Sequence, residues 1–133
     1  MFVVFAALTL LWAGVIFVLS AQNGAESSGL SGSISESLIG SFIHGEGFDA
    51  ALFRERVVYI FNMVLRKIAH AGIYFILGAL SYIAASNTRA KKTAPFASYL
   101  FCVLYASSDE LHQYFVPGRS CMFYDVIIDA LGV

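Results

Sequence analysis

Charged side chains are scarce in this chain: Lys and Arg total 8, Asp and Glu total 9, and together they make up 13% of 133 residues, against 59% hydrophobic. A soluble domain of this size would carry more apolar surface than its core could hide, so an ordinary soluble fold is excluded. The formal net charge of −1 and the lack of a basic tail exclude nucleic acid as a partner. Familiar catalytic signatures are missing too. No G-x-G-x-x-G follows a strand pattern, and there is no Walker loop, G-x-S-x-G elbow, C-x-x-C or H-E-x-x-H. Cysteine is limited to Cys102, within an apolar run, and Cys121, in the loop after it. That placement does not favour a disulfide between them.

The chain does contain apolar runs of membrane length. Met1 to Leu19 has no charged side chain and approaches the roughly 20 residues that cross hydrocarbon. Leu19-Ser20-Ala21 would satisfy a signal-peptide cleavage rule, but the basic leader is missing and the run exceeds the usual span of about 7 to 15. Residues 1–19 are therefore read as the first span. Residues 20–66 form a loop rich in Ser, Gly and Glu. Within it Leu30, Ile34, Leu38, Ile39, Phe42 and Ile43 recur at helical spacing, and Ser33 with Glu36 has the form of a capping box. An amphipathic helix on the membrane surface and a partly ordered loop both fit. A second helical pattern, Phe53, Val57, Phe61 and Val64, runs into the next span without a breaker.

Residues 67–86 are the second span. At 100° per residue, Lys67, His70, Tyr74, Gly78, Ser81 and Ala85 share a stripe within about 60° of Lys67, opposite Ile73, Ile76, Leu80 and Ile83. The first face is predicted to meet protein and the second lipid. A basic turn with Arg89, Lys91 and Lys92 leads to a third span over 93–112. There Ala94, Ser98, Cys102 and Ala106 form an i, i+4 ladder of small residues. Asp109, Glu110 and Gln113 continue that face within about 60°, and His112 points away from it. Val116-Pro117-Gly118-Arg119 reads as a tight turn. Residues 123–133 then start a fourth apolar segment with Asp125, Asp129 and Gly132 on one face. At 1.5 Å per residue it reaches about halfway across a bilayer, so the chain is truncated there or the last segment does not span.

The predicted fold is thus a single all-α membrane domain: a small helical bundle of three full spans, a fourth incomplete one, and an amphipathic helix in the first outer loop. The basic turn at Arg89, Lys91 and Lys92 belongs on the cytoplasmic side by the positive-inside rule, which also puts the N-terminus inside. Lys67, His70, Tyr74, Asp109, Glu110, Gln113, Arg119, Asp125 and Asp129 then gather at the outer leaflet. Charges near hydrocarbon cost several kcal/mol and need partners, so their gathering at one depth marks a candidate site.

Several stretches carry a family resemblance: Arg66-Lys67-Ile68-Ala69-His70 with Tyr74 and Leu77-Gly78, and Tyr105-Ala106-Ser107-Ser108-Asp109-Glu110-Leu111-His112-Gln113-Tyr114-Phe115-Val116-Pro117-Gly118-Arg119. Asp125-Val126, Asp129-Ala130-Leu131-Gly132 and the Phe17-Val18-Leu19-Ser20-Ala21-Gln22 exit from the first span add to it. In that order they resemble the VanZ-like family of bacterial membrane proteins. The resemblance implies a multi-pass protein of the bacterial cell membrane linked to resistance against glycopeptide antibiotics, teicoplanin in particular.

Three classes of function fit these residues. In the first, a membrane-embedded site binds or modifies a lipid-linked envelope precursor or an amphiphilic glycopeptide. Glu110, Asp109 or His70 act there in acid–base chemistry, and Lys67 and Arg119 hold phosphate or carboxylate oxygens, with Tyr74, Gln113, Asp125 and Asp129 beside them. In the second, the charges neutralise one another and only fix helix packing. In the third, His70, Asp109 and Asp125 ligate a metal, although no local metal motif supports it. The residues identify no cofactor, and the small-residue ladder leaves homo-oligomerisation open.

Overall fold

A computed structural model describes residues 1–40, 42–43, 48–89, 91–117 and 123–133; the side chains at 24–28, 30, 40, 48, 123–125, 129 and 131 lie outside that description. Among the described residues the chain is helical and has no strand. The helices are α1 (Phe2–Ser20), α2 (Gly24–Ser35), α3 (Phe48–Ser86), α4 (Ala94–Tyr114) and α5 (Phe123–Gly132). A π-helical turn over Glu36–Gly40 follows α2, and a 3-10 turn over Lys91–Thr93 precedes α4.

Helix α1 is apolar on every side, yet only Thr9, Ala13, Ile16 and Ser20 are buried. Their spacing traces the single stripe that meets α3 and α4. The other faces carry Val3, Leu10, Leu11 and Val18 outward, with Leu10 70% exposed. Phe75 on α3 and Phe96 and Leu104 on α4 are exposed too. So much outward aliphatic and aromatic surface is foreign to a soluble monomer. Among the described residues two helices are long and apolar enough to cross a membrane, Phe2–Ser20 and Asp49–Ser86. Helix α4, at 21 residues, has the length, but the polar run from Ser107 to Gln113 lowers its apolar character.

The bundle closes on small side chains. Ala94, Ser98, Cys102 and Ala106 are all buried, as the ladder predicts, and Asp109, Glu110 and Gln113 prolong the buried face. Pro95 sits in the first turn of α4, where its missing N–H costs nothing. On α3 the buried residues are Tyr74, Leu77, Gly78, Ser81 and Ala84. Ile76 and Ile83 face outward as predicted. Lys67, His70 and Ala85 are only half-buried, and Ile73 is half-buried rather than turned to lipid. The stripe is wider than predicted because α1, α2, α4 and α5 all pack on α3. The Ile73 side chain packs against the core cluster that includes Ala13, Tyr74 and Leu77, and the Trp12 indole Nε1 on α1 donates to its backbone carbonyl at 2.9 Å. Tyr105 on α4 likewise donates its hydroxyl to the Ala13 carbonyl at 2.6 Å.

Helix α5 approaches α3 backbone to backbone. A Cβ built on Gly132 would stand 2.5 Å from the Ala71 carbonyl oxygen, and one on Gly78 would stand 2.8 Å from Cγ1 of Val133. Only glycine permits that separation.

The first loop departs most from prediction. Its helix begins at Gly24, so Ser33 lies inside α2. Ser33 and Glu36 therefore form no capping box at the start of that helix. The Ser35 and Ser37 hydroxyls donate to the carbonyls four residues back, those of Ser31 and Ser33. The π turn then shifts the register before Leu38 and Ile39, so residues 30–43 do not share one continuous α-helical face.

Candidate functional site

Serine 20 ends the uncharged α1, and its side chain is 2% exposed. It meets the last turns of α4, where Asp109, Glu110 and Gln113 are 4%, 5% and 6% exposed. The Ser20 hydroxyl donates to Oδ2 of Asp109 at 2.7 Å. Gln113, one turn further along α4, donates its Nε2 to the same oxygen at 3.0 Å and lies 3.4 Å from the Ser20 hydroxyl. Both donors converge on one oxygen of the carboxylate. Oδ1 is buried and has no hydrogen-bond partner among the described residues.

That asymmetry matters energetically. A hydrogen bond to a charged group contributes about 1.5–3 kcal/mol, while a buried polar atom left unmade costs a similar amount. Among the described residues, then, one oxygen of this buried carboxylate is satisfied twice and the other is not.

Among the described residues the hydrogen-bond partners of the carboxylate come from α1 and α4; the site residues predicted on α3 are Lys67, His70 and Tyr74. Tyr74 of α3 is completely buried, and its ring centroid stands 6.4 Å from that of Tyr105. Lys67 and His70 on the same helix are half-buried. Lys67, His70, Tyr74 and Glu110 each take part in polar, ring or electrostatic contacts. His112 does leave the acidic face as predicted, but it does not face outward freely: its ring lies 4.6 Å from that of Phe17 on α1. Arg119 and Cys121 lie outside the described residues, as do the side chains of Asp125 and Asp129, whose backbone belongs to α5. Cys102 is a free, buried thiol 3.7 Å from the Ser81 hydroxyl. Among the described residues no three His, Cys, Asp or Glu side chains stand together as a metal site.

A groove of about 380 Å³ opens beside this cluster between α1, α2 and α3, and Ser20, Arg66 and His70 lie along it. A second, of about 390 Å³, lies between α1, α3 and α4 toward the other end of the bundle, with Thr9, Ser81 and Ser98 in its wall. Only the first touches the carboxylate network, through Ser20.

Sequence reasoning missed Ser20 as a site residue, although Leu19-Ser20-Ala21-Gln22 was part of the resemblance. A single uncharged hydroxyl at the end of an apolar run gives no electrostatic signal, and its partner is 89 positions away.

An all-helical fold with helices of membrane-crossing length, and a buried carboxylate where α1 meets α4, defines a class: a small helical-bundle protein. The VanZ/LLP1 family model matches residues 5–133, and the chain belongs to that family. No curated protein matches it, and no solved structure does.

Proposed function

We propose that the chain is a multi-pass bacterial membrane protein whose buried carboxylate site handles the polar head of a lipid-linked envelope precursor or an amphiphilic glycopeptide, and so alters teicoplanin tolerance. In this reading α1, the part of α3 from Lys67, and α4 cross the bilayer. The exposed Leu10, Leu11, Phe75 and Leu104 then meet lipid. The N-terminus and the turn with Arg89, Lys91 and Lys92 face the cytoplasm, so the end of α1, His70 and the end of α4 lie toward the outer leaflet. Ile34 and Leu38, both exposed, sit at the headgroup boundary above them.

The observation that carries the reading is the buried Oδ1 of Asp109, which has no hydrogen-bond partner among the described residues. It supports a site with an acceptor held ready for a donor from outside the described chain, such as a hydroxyl or amide of a sugar or peptide head. Asp109, Glu110 and His70 are the groups for proton transfer if the site is catalytic, and Lys67 and Arg119 are the cations for phosphate or carboxylate oxygens. Tyr74, Gln113, Asp125 and Asp129 complete the polar surroundings.

The rival reading, in which the charges only hold the helices together, draws on the Ser20–Asp109–Gln113 bonds that tie α1 to α4. Asp109→Asn and Glu110→Gln, expressed in a teicoplanin-sensitive host, separate the two. The proposal expects tolerance to fall while the amount of protein in the membrane stays at the wild-type level. If tolerance and protein level decline in parallel, the packing role is sufficient.

A further inference from the structure

The groove between α1, α2 and α3 has a chemical polarity of its own. Its aliphatic wall includes Leu19 from α1 and Leu65 and Ile73 from α3, while Arg66 and His70 are its ionisable groups, beside the neutral Ser20, Gln22 and Ser31. Among the described residues no carboxylate lines it. Arg66 and Ile73 are seven positions apart on α3, so the guanidinium and the deep aliphatic end are separated by about 10 Å along the helix axis. Ile73 marks the inner end, because Trp12, in the middle of α1, docks on its carbonyl. Arg66 marks the outer end, beside α2. A volume of about 380 Å³ falls in the range of roughly 300–1,000 Å³ typical of small-molecule clefts.

We infer that this groove holds one hydrocarbon chain of an anionic lipid from the surrounding bilayer, with the lipid's phosphate at Arg66. The inference rests on the membrane placement proposed above and adds a lipid site that adjoins the Asp109 network through Ser20. Guanidinium is suited to the task, since its fork of donors matches phosphate oxygens and its weak hydration allows a half-buried position. Ser20 belongs both to the groove wall and to the Asp109 network, so an occupant touches the residue that binds the carboxylate. The carboxylate itself lies behind Ser20, outside the groove.

The chain contains one tryptophan, Trp12, bonded to the residue at the groove's inner end. It is therefore a built-in reporter for a brominated acyl chain. The full-length protein is reconstituted in phosphatidylcholine vesicles containing a minor fraction of brominated phosphatidylglycerol or, in parallel, brominated phosphatidylcholine. Brominated phosphatidylglycerol is expected to half-quench Trp12 at an about fivefold lower fraction, the preference that one cation near the surface confers. Arg66→Gln removes that preference, and Ala69→Phe, which fills the groove, removes it with Arg66 in place. Arg89→Gln leaves it unchanged, because Arg89 lies in the basic turn away from the groove. Equal quenching by the two lipids in the wild type overturns the inference, as does a preference that survives Arg66→Gln or falls equally with Arg89→Gln. Absence of quenching by either lipid overturns the membrane placement as well. A preserved lipid preference in Asp109→Asn, alongside unchanged teicoplanin tolerance, leaves the lipid site standing and removes the proposed function.

Discussion

Ser20 and Asp109 are joined by a 2.7 Å hydrogen bond across 89 positions of sequence, from the end of α1 to the final turns of α4. The hydroxyl is one of two donors on a carboxylate oxygen that is hidden from solvent. Ser20→Ala leaves the carboxylate with Gln113 alone and should destabilise the protein by about 1.5–3 kcal/mol, the range for bonds to charged groups. Denaturation in detergent, followed by circular dichroism, measures the loss. Ser20→Thr keeps the donor and should recover most of it; equal loss in both variants would assign the effect to packing.

The glycines should divide sharply by position. Gly132→Ala drives a methyl group into the Ala71 backbone, which cannot give way as a side chain can, and should cost about 1–3 kcal/mol. Gly14→Ala meets nothing within 4 Å and should be neutral or stabilising by up to about 1 kcal/mol through helix propensity. Thermal unfolding of the two variants side by side checks the sign of each. Loss of stability in Gly14→Ala would contradict the open surroundings of that residue.

Tyr105→Phe removes the hydroxyl that reaches the Ala13 carbonyl. That carbonyl already accepts a bond within α1, so it is not left bare. The expected cost is about 0.5–1.5 kcal/mol. Trp12→Phe should lose a similar hydrogen bond and some packing besides, giving the larger effect of the two. Unfolding midpoints in the same detergent rank them, and the reverse order would point to Tyr105 as the more important tie.

Arg54 pairs with Glu36, connecting α3 to the π turn. Both side chains are about half exposed, at 45% and 51%, and exposed pairs contribute about 0–1 kcal/mol. Arg54→Ala should therefore shift the unfolding midpoint only slightly, and less still in high salt. A shift comparable to that of Ser20→Ala would show that this pair does more than surface pairing allows.

The parts of the fold legible in the sequence are those written in apolar spacing. Ala94, Ser98, Cys102 and Ala106 lie inward because four residues bring a helix back to nearly the same face, and Asp109 and Gln113 follow by the same arithmetic. Ser33 misled for a different reason. A serine followed three places later by Glu is a helix start only when the hydroxyl faces a free N–H; here Ser33 is already inside α2, and Ser35 and Ser37 around it bond back to carbonyls one turn earlier. Ile73, predicted to face lipid, lies only about 60° around the helix from His70, and at that edge of the stripe it packs against the core. Ser20 carried no charge to betray it. Arg119 and the side chains of Asp125 and Asp129 lie outside the described residues, and their expected place beside Asp109 stays a proposal.

Helix α3 runs for 39 residues without a break, about 58 Å at 1.5 Å per residue, whereas hydrocarbon is only about 30 Å thick. In a bilayer, its first half, with Arg54, Glu55 and Arg56, would stand in water as a stiff mast rooted beside His70. A tilt imposed at the tip would travel down an unjointed rod to the base. Whatever tilts the part of the mast above the headgroups would thus be felt at its foot, beside His70.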